Sequence, residues 1–290
     1  MIFNIIKLLR PRQWLKNGLL LAALVFSGKL GEMTSAGTAL IAAAAFCPLS
    51  SSVYVLNDIL DRRADAAHPR KKNRPVASGR VGVGAALAVS VALLGIAAAA
   101  AFFVGLPFMF ACAVYYVVMV LYSLVLKHIA ILDVMTVASG FVIRAVAGGL
   151  AIAVDVSPWL IICTTLLSLF IVLNKRKGEM ESAPCVEGAS RRVLKRYTGP
   201  MLGSMISAVD GATLMAYCMY AMSFDNVLML LTVPFVIFGL FRYQYLSHLT
   251  APSDGINPVE APETALLTDL PLLIDVALWG ISCAVIIYII

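Results

Sequence analysis

The sequence predicts an all-α fold: a polytopic transmembrane bundle of nine helices, with polar cytoplasmic loops over the site that does the chemistry. Three observations lead there. Of 290 residues, 61% are hydrophobic and 13% charged, and the mean hydropathy of +0.93 excludes an ordinary soluble domain of this size. The apolar residues fall into runs that can cross about 30 Å of hydrocarbon. Lys and Arg crowd into alternate connections, the asymmetry expected of a chain that crosses a bilayer repeatedly.

From the N-terminus, Met1 to Arg10 alternates Ile, Phe and Leu with Asn, Lys and Arg, which suits a segment lying in the interface until Pro11 breaks it. Membrane helices are then expected at Trp14 to Ser27, Ala36 to Leu56, Val81 to Val104, Pro107 to Leu126, Ile131 to Val154, Pro158 to Leu173, Pro200 to Met222, Val227 to Tyr245 and Leu270 to Ile290, the first and sixth being the shortest. With the N-terminus inside, Lys7, Arg10, Arg12, Lys16, Lys127, Lys175 to Lys177 and Arg191 to Arg196 share one side with the first large loop. Only Lys29 falls on the other. The expectation is one catalytic domain over residues 1–290 in a bacterial-type plasma (inner) membrane, with cytoplasmic loops at about 57–80, 175–199 and 247–269 and the C-terminus outside.

The charge of +6 is accounted for by loops that face anionic lipid and phosphate, so no nucleic-acid partner is needed. Cys47, Cys112, Cys163, Cys218 and Cys283 lie in apolar runs and Cys185 in a loop, with no Cys-x-x-Cys pair, so they read as apolar fillers. His68, His128 and His248 show no zinc spacing.

Chemistry concentrates after the second apolar run. Asn57, Asp58, Asp61 and Asp65 precede a basic stretch containing Lys71 and Arg74. If the helix continues through them, Asn57, Asp61 and Asp65 recur at i, i+4 and i+8 on one face, with Asp58 beside Asp61. Mg2+ takes oxygen ligands, commonly one or two carboxylates with water and substrate phosphate. Clustered acids also repel one another unless a cation intervenes. The competing reading is a solvated loop.

Lys175, Arg176 and Glu179 follow the sixth run, and Arg191 to Tyr197 precede the seventh; this basic loop is expected to face the acidic one and hold phosphate oxygens, although topology alone would also place basic residues there. Arg144 lies within an apolar run, where a guanidinium normally faces a cavity or partner. Gly140 and Gly148 flank it at i−4 and i+4, allowing close approach. A substrate role and an ion pair with Asp210 or Asp275 both remain open. The acidic, proline-rich stretch from His248 to Asp269 reads as a linker or a lid.

These motifs resemble the UbiA superfamily of intramembrane prenyltransferases, and within it the decaprenyl-phosphate phosphoribosyltransferases. The resemblance rests on Asn57-Asp58-x-x-Asp61-x-x-x-Asp65 at the end of the second helix. It extends through Arg10 to Asn17, His68-Pro69-x-Lys71-x-x-Arg74-Pro75, Gly140-Phe141-x-x-Arg144, Ser157-Pro158-Trp159, Lys175-Arg176-x-x-Glu179 and Pro234 to Tyr243. Where aromatic prenyltransferases of the superfamily carry a second Asp-rich motif, this chain has Lys175, Arg176, Lys177 and a single Glu179. The resemblance therefore implies a polyprenyl monophosphate acceptor and 5-phosphoribosyl 1-diphosphate donor. It implies Mg2+ on Asn57, Asp58, Asp61 and Asp65, and substrate binding by Lys16, Asn17, Lys71, Arg74, Arg144, Lys175, Arg176, Glu179 and Tyr197, with the phosphates on Lys71, Arg74, Lys175 and Arg176 and the lipid phosphate near Lys16 and Asn17. The alternatives are an aromatic prenyltransferase that consumes a prenyl diphosphate, and a lipid-carrier transporter without chemistry.

Overall fold

The computed structural model describes residues 2–68, 71–181, 192–248 and 262–289, and every element among them is helical. In order these are α1 (Ile2–Leu9), a 3-10 segment (Pro11–Leu21), α2 (Ala22–Phe26), α3 (Met33–Leu60), α4 (Arg62–Ala67), α5 (Val83–Val104), α6 (Leu106–Leu124), α7 (Leu132–Ala151), α8 (Pro158–Glu181), α9 (Gly199–Met222), α10 (Val233–His248), α11 (Pro262–Thr268) and α12 (Leu270–Tyr288). The chain divides into two compact units. One is Met1–Val156 with Ala183–Arg196, the other Ser157–Ser182 with Tyr197–Ile290.

Among the described residues, eight helices are long and apolar enough to cross a membrane. The expected first span differs in kind. Its Pro11–Leu21 portion is 3-10 over 11 residues, with three residues per turn, so Trp14, Asn17 and Leu20 line up on one face and point inward. At about 2.0 Å per residue, and 1.5 Å through α2, this short element still extends roughly 30 Å. The expected sixth span is longer than its apolar run: α8 continues to Glu181 and carries Lys175, Arg176 and Glu179 on a helix, not in a loop.

In the first unit, Phe46, Leu49, Phe108, Tyr115 and Ala147 form the main core. Within a bilayer, packing and interhelical hydrogen bonds hold helices together. Ser52 and Ser90 do this for α3 and α5: each hydroxyl donates to the other's backbone carbonyl, at 2.9 and 3.0 Å. Ser51 donates to the Leu9 carbonyl (2.8 Å) and accepts from Trp14 Nε1 (2.9 Å), fixing both N-terminal segments to α3. A single residue, Gly105, turns α5 into α6 with φ 140°, where side chains are strained. The expected close approach at Gly148 is that of the 3-10 segment: a Cβ there would lie 2.0 Å from the Leu20 carbonyl oxygen.

In the second unit, Asp269 caps α12 by accepting from Leu272 N (3.0 Å), and Arg242 donates to both its oxygens (3.0 and 2.8 Å). Tyr217, Thr232 and Trp279 form a buried hydrogen-bonded group, with 2.7 Å from the Tyr217 hydroxyl to each partner.

Candidate active site

The helix bearing the acidic motif does not run on unbroken. At Asp61 the backbone turns to φ −88°, ψ 3°, ending α3 and starting α4. The hydrogen bonds from Asp61 N to Asn57 O (2.9 Å) and from Asp65 N to Asp61 O (2.8 Å) survive this kink. The side chains nevertheless sort differently from the expected single face. Asp58 and Asp65, seven positions apart, converge on one guanidinium: Arg74 Nη1 lies 3.1 Å from Asp58 Oδ1 and 2.6 Å from Asp65 Oδ2. Arg10 also donates to Asp58, and Asp61 accepts from Lys127.

The charges explain this grouping. Asp58 is 2% exposed and Asp65 5%, and a buried carboxylate without a partner is costly. Arg10, Arg74 and Lys127 match the three acids one for one, which also relieves the repulsion among them. Holding Arg10 there has a local cost, because its φ of 54° before Pro11 is left-handed backbone, about 1–2 kcal/mol unfavourable for a residue with a Cβ. Its guanidinium lies 5.3 Å from the Tyr54 ring centroid. The half-buried Asn57 side chain makes no hydrogen bond among the described residues. Lys71 lies in a short 3-10 turn, its backbone N–H 3.4 Å from His68 Nδ1.

A second cluster surrounds Arg144, which is 4% exposed. Its Nε donates to Asn17 Oδ1 (3.0 Å), Nη1 to the Gly140 carbonyl (2.9 Å) and Nη2 to the Tyr115 hydroxyl (2.7 Å). The rings of Tyr115, Phe141 and Phe46 surround it at 4.8, 5.6 and 5.8 Å. The ion pair with Asp210 or Asp275 is not found: every described partner of Arg144 is neutral. Asn17 is buried and spends its amide on Ser50 Oγ (3.3 Å) and Cys47 Sγ (3.5 Å). Lys16 is half-buried, with Nζ 5.9 Å from the centroid of the Phe141 ring that also lies near Arg144.

In the second unit, Arg176 is 2% exposed and donates to Glu179 Oε2 at 2.8 Å. Lys175 is half-buried and Tyr197 buried. Asn174, which sequence reasoning passed over, is 1% exposed. Its amide donates to Phe170 O (2.9 Å), and its Oδ1 has no hydrogen-bond partner among the described residues. In the sequence Arg10 reads only as part of an N-terminal motif and Lys127 only as a topological charge, neither as a partner of the acids; the signal at Lys127 is a lone Lys-His pair at a junction between two apolar runs. Pro69, Arg70, Cys185, Arg191 and most of the acidic stretch (249–261) lie outside the described residues.

Among the described residues no three carboxylates, imidazoles or thiolates gather into a metal cage. Asp58 and Asp65, drawn together on Arg74, offer the one or two carboxylates that Mg2+ takes, its remaining ligands coming from water and phosphate.

Fold and cluster together define an integral membrane protein of helical spans with a dense acid–base group where α3 meets α4. The profile of the UbiA prenyltransferase family matches residues 18–256, and the chain belongs to that family. It is 35% identical over 237 residues to a decaprenyl-phosphate phosphoribosyltransferase of Mycolicibacterium smegmatis, covering 80% of this chain and 74% of the relative. It is 30% identical to a protein of the same name from Corynebacterium glutamicum, covering 99% of this chain and 87% of the relative. Among solved structures, a UbiA homolog from Archaeoglobus fulgidus bound to GPP and Mg2+ superposes with a TM-score of 0.73 at 17% identity, covering 98% of this chain and 99% of that one.

Proposed function

We propose that this protein transfers 5-phosphoribose from 5-phosphoribosyl 1-diphosphate to a membrane polyprenyl (decaprenyl-type) phosphate. A phosphate oxygen of the lipid bonds to the anomeric carbon, the bond from that carbon to diphosphate breaks, and diphosphate leaves with the electron pair. The observation that carries this reading is the likeness to phosphoribosyltransferases along 99% of the chain. The cationic residues Lys175 and Arg176, where a prenyl-diphosphate enzyme of the family would place acids, support it further.

The chemistry suits the residues. A lipid monophosphate is largely dianionic near neutral pH by analogy with phosphorylated side chains, so it attacks without a strong general base. The hard step is loss of diphosphate through an oxocarbenium-like state. Mg2+ would be held by Asn57, Asp58, Asp61 and Asp65 and, when bound, would neutralise the leaving group. Arg10, Arg74 and Lys127 counter the acids and place positive charge beside them for the donor phosphates. Lys71, Arg74, Lys175 and Arg176 hold phosphates, while Glu179 and Tyr197 orient Arg176 and the segment entering α9. Lys16 receives the lipid phosphate, and Asn17 and Arg144 set its place. On this reading the N-terminus and site face the cytoplasm at a bacterial inner membrane, because the basic residues collect on that side.

Purified protein is expected to release diphosphate only when phosphoribosyl diphosphate, a polyprenyl phosphate and Mg2+ are all present. Release without the lipid, or transfer from a prenyl diphosphate to an aromatic acceptor in its place, would refute the proposal.

A further inference from the structure

In the second unit, α9 and α10 line a groove of about 320 Å³. This is at the lower end of the roughly 300–1,000 Å³ of small-molecule sites. The two helices are successive spans and run antiparallel, so the lining has a direction. Ser207 and Gln244 are nearest the Gly199 and His248 ends, Asp210 and Phe241 come next, and Leu214 and Ile237 lie deepest. From Ser207 to Leu214 the groove extends about 10 Å along the helix. One end is polar and the other apolar.

Asp210 is the unexplained residue. Its Oδ1 is buried without a hydrogen-bond partner, and no cation pairs with it among the described residues. An ionisable group within a membrane span normally serves a site, since its burial must be offset by a partner. The neighbouring groups narrow what that partner is. The Ser207 hydroxyl donates to the Gly203 carbonyl at 3.1 Å, so toward the groove its oxygen accepts, as does Asp210 Oδ1. With Gln244, whose amide both donates and accepts, they form a polar end whose single charged group is the Asp210 carboxylate, which attracts a cationic donor and repels an anion such as a phosphate head.

We propose that this groove binds a single-chain membrane amphiphile with a primary ammonium head, the head on Asp210 and the chain along Leu214 and Ile237. The inference is independent of the transfer reaction. It is tested on the full chain in lipid nanodiscs by the saturable uptake of dodecylamine, with dodecanol and dodecanoate alongside and empty discs subtracted. One dodecylamine per chain is expected, with dodecanol weaker and dodecanoate absent. Asp210→Asn should weaken the amine about tenfold, the scale of one charge-assisted contact. Leu214→Trp, which fills the apolar end and leaves the carboxyl, should abolish uptake, and circular dichroism checks that both variants remain helical. Uptake unchanged by Asp210→Asn, equal uptake of amine and carboxylate, or preference for the alcohol would overturn the proposal.

Discussion

On the proposed function, single side chains decide whether the acidic motif works. Asp58 is nearly inaccessible and already carries two guanidinium partners, so Asp58→Asn preserves shape while removing a charge that both Arg10 and a metal require. Turnover should fall by about 100-fold, the upper range for disturbing a metal site, in a protein that still folds but melts lower because Arg10 and Arg74 lose a buried counter-charge; full activity in both Asp58→Asn and Asp61→Asn would exclude a metal on this motif. Arg144 fails differently. Arg144→Met leaves Asn17 Oδ1 and the Tyr115 hydroxyl without their donor, at about 1–3 kcal/mol for each orphaned group. Its effect should appear as a lowered melting temperature, which Arg144→Lys only partly restores because one ammonium cannot reproduce three divergent bonds. The residue types at both sites were legible in the sequence. Their partners were not, since Lys127 meets Asp61 across 66 positions and Tyr115 meets Arg144 across 29, and spacing along a helix carries no such information.

At the scale of elements, local departures from the α-helix matter most. The 3-10 segment is unusually long for its type and depends on external attachments: Trp14 to Ser51, Asn17 to Arg144, and the Leu20 carbonyl over Gly148. Gly148→Ala would set a methyl 2.0 Å from that carbonyl, within backbone that cannot yield cheaply. The loss should be about 3 kcal/mol or more, beyond ordinary overpacking, and folded yield from membranes measures it; wild-type yield and melting would show the segment is not seated there. A run of apolar residues reads alike at 3.0 and 3.6 residues per turn over so short a length, which hid the 3-10 geometry. The Asp61 kink was hidden similarly, because the bonds on either side keep helical spacing.

The α12 cap makes a pH prediction. Hydrogen bonding from Arg242 holds the Asp269 carboxyl below the ordinary range, helped by the Leu272 N–H against opposing burial. A lowered folded-state pKa adds stability that is present above the unfolded value of about 3.9 and is lost as pH falls through the folded value. Melting temperature should therefore decline below about pH 4, and Asp269→Asn should be less stable at neutral pH with a flatter acid limb. An identical acid limb in the variant would remove the pair from the stability of α12.

Over the whole molecule, composition and charge asymmetry were enough to give the class and the helical spans, because a bilayer constrains backbone and charge more tightly than water does. The chemistry is a finer matter, since one family fold accommodates different donors and the distinction rests on whether acids or cations follow the sixth expected span. Mass spectrometry of lipids after incubation with phosphoribosyl diphosphate, a polyprenyl phosphate and Mg2+ tests that distinction most directly. The predicted product is the acceptor lipid with one phosphoribosyl group added, in step with diphosphate release. An unmodified acceptor, with an aromatic compound prenylated from a prenyl diphosphate instead, would contradict it.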